Sequence, residues 1–216
     1  MDVSFTPEQQ AFRQRFRDWL ADNLPPDWGG PRFTGPEDDD ENAAFQADWE
    51  RKLYDAGFQG IHWPADYGGQ GLTIIEQLVA AEELGRVSAP EGINTIGKEL
   101  VGPILLAVGT EEQKSHYIPR LLRLDDIWCQ GFSEPDAGSD LAGLRTRAVL
   151  DGDHWVVNGQ KLWTSFARHA NKCILLVRTD PDAPTHKALT LFLLDMDTPG
   201  ITVRPVPQVT RRPDFH

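Results

Sequence analysis

Cysteine is nearly missing from this chain. Cys129 and Cys173 are the only two in 216 residues, too few for a disulfide scaffold or a thiolate metal cluster. Positive charge is also short: 21 Lys and Arg against 33 Asp and Glu give a formal net charge of −12. That balance argues against wrapping nucleic acid or docking on anionic lipid. An anionic ligand would need a local basic or helix-N-terminal site instead. No apolar run is long enough to span a bilayer. The first residues are already amphipathic and acidic, unlike a secretory leader, so a cytoplasmic protein is the expectation. His62, His154 and His169 have no partners at metal-ligand spacing, and no metal site is expected. What the chain does have is core material, with seven tryptophans among its apolar residues. That suits one large domain or two small ones.

The texture changes near Asp125. Before it the apolar period is helical. Thr6-Pro7-Glu8-Gln9 is a capping box with proline at the first helical position, and Phe12, Phe16 and Leu20 then repeat along one face. Pro25-Pro26 stops that helix. The acidic run Glu37 to Glu41 reads as a solvated surface loop. A second helix carries Phe45, Trp49 and Leu53 and ends near Gly57. Thr73-x-x-Glu76 opens a third, whose face is Ile75, Leu78, Val79 and Glu82-Glu83. A fourth runs through Ile93 to Val108 and is interrupted or restarted near Pro103. Thr110-x-x-Gln113 opens a fifth, ending in Leu121-Leu122-Arg123. Trp19, Trp49 and Trp155 read as core.

After Asp125 strands and turns take over. His154 to Val157 leads into Asn158-Gly159, a hairpin signal. Cys173 to Val177 and Leu189 to Leu194 read as buried strands, and Ile201-Thr202-Val203 follows a Pro199-Gly200 turn. No strand alternates with a helix, so a small antiparallel barrel or sandwich is expected. The fold class is α+β, with an all-helical domain over residues 1–125 and a β-domain over 126–216.

One segment carries chemistry. Trp128 to Gly143 reads as a strand running into a polar, glycine-bearing turn, Phe132-Ser133-Glu134-Pro135-Asp136-Ala137-Gly138-Ser139-Asp140. Such a turn offers backbone N–H groups and two hydroxyls to an acceptor-rich ligand. On residues alone that ligand could be a phosphate, a flavin ring or a metal, and a plain Asx or Ser turn between strands fits as well. Glu134 is a base candidate on paper. Cys129 reads as a small buried residue, with nothing nearby to lower its thiol pKa.

The run Phe132 to Gly143 resembles the first signature of the acyl-CoA dehydrogenases. Asn158-Gly159-Gln160-Lys161-Leu162-Trp163-Thr164-Ser165 is similar to a second family stretch at the expected distance. Gly109-Thr110-Glu111-Glu112-Gln113-Lys114 and Trp63-Pro64-x-x-Tyr67-Gly68-Gly69 are similar to two more. The four pieces stand in family order across the whole chain.

The resemblance implies FAD as cofactor and an acyl-CoA thioester as substrate, dehydrogenated at its α,β carbons to the trans-2-enoyl-CoA with hydride passed to flavin N5. It implies that Phe132 and Ser133 meet the pyrimidine side of the ring, with Gln130 beside them. Gly138 and Ser139 stand where the family contacts the flavin pyrophosphate region and the acyl-CoA. Trp163 matches the tryptophan that packs beside the flavin, with Thr164 next to it. Ser165 replaces the more usual threonine near N5 and keeps its hydroxyl. Glu134 belongs to the turn in the family, which makes it structural.

The family also has a C-terminal helical bundle, which supplies the glutamate base and much of a tetramer interface. No carboxylate here matches that base, so the chain is expected to be a fragment, inactive alone and a poor holder of flavin. The resemblance further implies electron-transfer flavoprotein as electron acceptor and either a homotetramer or a two-subunit heterotetramer. The Trp128-Cys129-Gln130 opening and Leu24-Pro25-Pro26-Asp27-Trp28 resemble actinobacterial members, some acting on steroid side-chain thioesters. Two alternatives remain at this point: a non-catalytic flavin- or acyl-CoA-binding subunit, and an oxidase or monooxygenase of the same fold.

Overall fold

The computed structural model describes residues 4–29, 35–209 and 215–216. The chain divides into two compact units. The first holds the residues up to Lys98 together with Gly102–Asp125, and the second holds Glu99–Val101 and Asp126–His216. No helix among the described residues is long and apolar enough to cross a membrane.

The helices of the first unit begin where local chemistry tells them to. Helix α1, Pro7–Asn23, starts with Thr6 accepting from the Gln9 N–H while the Gln9 side chain returns to Thr6. Helix α2 is Asp39–Asp55. Its N-cap is Asp38, and Asp39, Asp40 and Glu41 fill its first turn. The acidic run expected as a loop is therefore largely a helix start, where carboxylates complement the positive end of the helix dipole. Helix α3, Ile74–Arg86, uses the Thr73–Glu76 box. A π turn at Gly97–Val101 precedes α4, Gly102–Val108. The Gly102 N–H reaches back five residues to Gly97, and Pro103, next in line, has no N–H to donate. Helix α5, Glu111–Leu122, uses the Thr110–Gln113 box.

Phe12, Phe16 and Leu20 of α1 pack with Trp49 and Leu53 of α2, Phe58, Ile61 and Val79. The Phe16 and Phe58 rings are 4.3 Å apart. Helix α3 corrects the expected face. Its buried residues are Glu76, Val79, Ala80 and Glu83, while Ile75 and Leu78 are exposed. Glu83 can be buried because two cations meet it, one from α1 and one from its own helix. Glu83 accepts from Arg17 at 2.7 Å and Arg86 at 2.9 Å. A second buried carboxylate, Glu50, pairs with Lys98 and accepts the Ile93 and Asn94 N–H groups at 3.0 and 2.9 Å.

The two family-like stretches of this unit meet. Tyr67 donates to Glu111 at 2.5 Å, which lowers the Glu111 pKa and raises that of Tyr67. Trp63 is buried, and a Cβ on Gly102 would fall on its ring while one on Gly69 would fall on its backbone. Both glycines are there because the tryptophan leaves no room.

The second unit is built on one mixed sheet. Strands β1, Trp128–Gly131, and β4, Lys172–Arg178, are parallel. Strands β2, Arg147–Asp151, and β3, His154–Asn158, form an antiparallel hairpin. Strand β5, Leu189–Asp195, runs antiparallel to β4 along its full length. The opposite edge of β4 is shared: Lys172 to Leu175 face β1, and Arg178 faces Arg147 of β2. The helical-then-sheet architecture is as expected, but the sheet is not purely antiparallel. Parallel pairing needs a long connection rather than a helix, and here the β2–β3 hairpin and its flanking loops provide it.

Three strand expectations need correction. The hairpin turn is Gly152-Asp153, with Gly152 at φ +65°, the first turn position that a two-residue loop assigns to glycine. Asn158-Gly159 instead ends β3, and Gly159 lies where any Cβ would strike the Thr146 side chain. Trp155 is 45% exposed, resting against Phe192 at 5.5 Å, so it is not core. Ile201-Thr202-Val203 follows its glycine turn but joins no strand among the described residues.

The Trp63 packing yields a direct test. Gly102→Ala is expected to cost about 1–3 kcal/mol through overpacking, read as a lower urea midpoint at unchanged slope. An unchanged midpoint would mean that Trp63 has room to move.

Candidate functional site

Strand β1 ends at Gly131 because the chain must pass close to its neighbours. A Cβ there would come within 2.7 Å of Leu175 and 3.3 Å of the Cys173 sulfur. Beyond it the backbone leaves the sheet, and Phe132 and Ser133 are half-buried. Glu134 and Ala137 then exchange N–H···O bonds of 2.8 and 3.1 Å, closing a tight turn over Pro135-Asp136.

A second stretch lies against the first. The Leu162 N–H donates to the Ser133 carbonyl at 2.9 Å. The Lys161 ammonium donates at 2.9 Å to both the Phe132 carbonyl and Glu134 Oε1. Thr164 and His216 exchange backbone bonds of 3.0 Å in each direction. Trp163 meets Phe215 edge-on, with ring centroids 5.9 Å apart. Phe132, Ser133, Trp163, Thr164 and Ser165 are thus neighbours, although some thirty residues separate the two stretches. Gln130 lies within β1 opposite Ile174. Gly138 and Ser139 are exposed beyond the turn and make no bond to this group among the described residues.

Two features mark the cluster as more than packing. Trp163 is 55% exposed with φ +64°, and Phe166 follows at φ +56°. Left-handed backbone at bulky residues costs on the order of 1–3 kcal/mol each and persists only where the surroundings impose it. Ser133 and Ser165, in addition, have both N–H and hydroxyl groups unbonded among the described residues. The arrangement is an apolar ring face flanked by free donors.

Glu134 is the anchor beneath. Its carboxylate accepts the Arg145 N–H at 2.7 Å, the Thr146 N–H at 2.8 Å and Lys161. Burial alone would raise its pKa, but the donors of Thr146, Arg145 and Lys161 outweigh burial and hold it at about 2. Burial also pulls the Lys161 ammonium below its ordinary value, with Glu134 partly offsetting it. Arg178 fixes the far side of the same loop, donating to the Ala142 carbonyl at 2.8 Å. Sequence reasoning assigned no role to Lys161. Its partners stand 27 and 29 residues upstream, and no local pattern announces them.

The pH consequence has a definite sign. The folded Glu134 value of about 2 lies below the ordinary 4.5, so its stabilisation is complete above about pH 4.5 and is lost as pH falls toward 2. Over that gap it amounts to on the order of 3 kcal/mol. Glu134→Gln is therefore expected to be less stable than wild type at pH 7, with the deficit shrinking at pH 3. Urea unfolding at both pH values checks this; a deficit independent of pH would overturn the charged anchor.

Comparison with known proteins gives a consistent result. The family model described as acyl-CoA dehydrogenase, N-terminal domain, matches residues 6–125, and that of the middle domain matches residues 129–214. Acyl-CoA dehydrogenase IpdE1 of Mycobacterium tuberculosis is 40% identical over 208 residues, covering 96% of this chain and 54% of its own length. The chain thus spans about half the length of the curated relatives it matches. The ChsE4–ChsE5 complex from Mycobacterium tuberculosis superposes with a TM-score of 0.82 at 32% identity, covering 100% of this chain and 54% of that one. A glutaryl-CoA dehydrogenase from Mycobacterium smegmatis in complex with FADH2 superposes with a TM-score of 0.71 at 26% identity, covering 96% and 51%. The chain belongs to the acyl-CoA dehydrogenase family, of which it carries residues of the N-terminal and middle domains.

Proposed function

We propose that this chain supplies the flavin-facing part of an FAD-dependent acyl-CoA dehydrogenase. The observation that carries the reading is the half-exposed Trp163 ring, held in a left-handed backbone beside the free donors of Ser133 and Ser165. A flavin ring is flat and apolar on its faces and rich in acceptors along its edge, so platform and donors fit it. Family membership and the flavin in the Mycobacterium smegmatis relative support the same cofactor.

When bound, FAD would accept the hydride leaving the β carbon of the acyl thioester as the α proton is removed, giving the trans-2-enoyl-CoA. The chain's own part is to hold and tune. Trp163 provides the ring contact and shields one side from water. Thr164 is buried and fixes the loop through its backbone pairing with His216. The Ser165 hydroxyl would donate near N5, and Ser133 would offer an N–H and a hydroxyl to the pyrimidine edge. Phe132 lines the same side, with Gln130 behind it on β1. Gly138 and Ser139, exposed on the following turn, are the candidate contacts for the pyrophosphate and the acyl-CoA.

Glu134 is not the base. A carboxyl held at about 2 and locked to Lys161 has little affinity for a proton near neutral pH. The α proton would then go to a carboxylate outside this cluster. A two-subunit assembly is the favoured oligomer, on the likeness to the ChsE4–ChsE5 complex, with a homotetramer as the other form and electron-transfer flavoprotein as the acceptor. The acyl group is proposed to be a fatty or steroid side-chain thioester.

Two measurements test the reading. FAD titration followed by flavin fluorescence should show weak but saturable binding that Trp163→Ala weakens about tenfold further, in line with the loss of one ring-stacking contact of on the order of 1–2 kcal/mol. Equal affinity in Trp163→Ala and Ser133→Ala together would remove the assignment. With FAD bound, the isolated chain is expected to give no steady turnover on a panel of acyl-CoAs with an artificial electron acceptor. Turnover would locate the base within these 216 residues.

A further inference from the structure

Lys161 has a geometry that the flavin-contact reading does not use. Its side chain is only 11% exposed, and its ammonium bonds two oxygens at once, the Phe132 carbonyl and Glu134 Oε1, each at 2.9 Å. The Phe132 carbonyl belongs to the same peptide plane as the Ser133 N–H. The two groups point in opposite directions across that plane, so a cation seated on the oxygen lies behind a donor that is free on the other side.

We propose that Lys161 is a positioning residue for the flavin ring. It locks the Phe132–Ser133 peptide with its N–H turned toward the ligand side, and it polarises that peptide so that the N–H donates more strongly. This inference rests on the flavin reading given above.

Three observations support it. Rotation of the peptide would break a charge-assisted bond in a buried setting, the kind whose loss is costly. The neighbouring peptide is pinned as well, because the Ser133 carbonyl accepts the Leu162 N–H at 2.9 Å. Consecutive carbonyls are thus held by consecutive residues of one segment, Lys161 and Leu162, which leaves the Ser133 N–H a single orientation. Glu134 completes the device by fixing the ammonium itself, and it is immobilised by the Arg145 and Thr146 N–H groups. The polarisation follows from hydrogen-bond cooperativity, which strengthens one end of a peptide group when the other end is bonded.

Such a donor discriminates between flavin states. The reduced ring is richer in electrons at its pyrimidine edge, so a strengthened N–H binds it better than the oxidised ring and raises the reduction potential. Each tenfold preference corresponds to about 30 mV for a two-electron couple. A lysine that served only to hold two loops together would change how much flavin binds and leave the potential of the bound fraction alone.

The test compares the wild-type 216-residue chain with Lys161→Met, Lys161→Gln and Lys161→Arg. FAD affinity is read by fluorescence titration, and the potential is read at saturating FAD against reference dyes. Lys161→Met and Lys161→Gln are expected to weaken FAD binding roughly tenfold and to lower the potential, with Lys161→Arg recovering most of both. Lys161→Gln covers the case in which Lys161→Met does not fold, since it keeps an N–H donor on a somewhat shorter side chain while removing the charge. Unchanged potential in the folded neutral variants, with wild type binding FAD normally, overturns the role of Lys161 and leaves the flavin reading standing. Failure of folded wild type to bind FAD at all overturns the flavin reading and this inference with it.

Discussion

A buried ammonium shared between a carbonyl and a carboxylate holds the second unit's candidate site together. Lys161 and Glu134 are the two ends of an ion pair with little solvent on either side. A buried pair of this kind is stabilising only when its remaining hydrogen-bonding capacity is filled. Here most of it is: the carboxylate accepts two backbone N–H groups and the ammonium donates to a backbone carbonyl as well as to the carboxylate. Every one of those backbone groups belongs to the connection between β1 and β2, at its first residue or its last two. The charges therefore act less as mutual attraction than as a three-way joint between segments that no β-ladder connects. The Trp163 platform, the Ser133 donors and the Ser165 hydroxyl all hang from that joint.

The first unit solves a similar problem with shape and charge together. Trp63 fills its space so fully that glycine is required on both sides, at Gly69 and Gly102. Glu50 and Glu83 are buried acids that gather segments distant in sequence, Glu83 by accepting from α1 and from its own helix. Gly92 leaves room for the Glu50 carboxylate. In both units the polar interior is used to join segments, and the apolar cores fill the space around those joints.

Much of this was legible in the sequence, and what was legible has a common character. Capping boxes at Thr6, Thr73 and Thr110 are read within four residues because the bonds they make span four residues. The passage from helices to a sheet is visible because a change of apolar period needs no partner to be seen. The misreadings are those in which the deciding neighbour is remote. Ile75 and Leu78 were expected on one face with Val79 and Glu83; only Val79 and Glu83 of these are buried, Glu83 against Arg17, 66 residues away. The parallel pairing of β1 with β4 depends on a long excursion whose one helical piece is a single 3-10 turn at Leu141–Gly143. Ile201 to Val203 has strand-forming residues, but a strand also needs an edge to join. At the site, the family likeness indicated which residues to gather, and their adjacency came only from the fold. The Lys161 clamp was invisible for the same reason as the Arg17–Glu83 pair.

The left-handed backbone at Trp163 and Phe166 bears on how this domain can be engineered. Glycine is the residue that such φ values favour, so replacing either aromatic with glycine would relieve local strain. A campaign that ranks variants by melting temperature would be drawn toward those two positions and would remove the ring platform in the process. At Trp163, stability and the proposed ring contact are opposed at one Cα atom. Selection for heat resistance should therefore hold both positions fixed and look for its gains in the helical unit, on the exposed side of α3 or at surface glycines such as Gly85, where an added Cβ meets nothing.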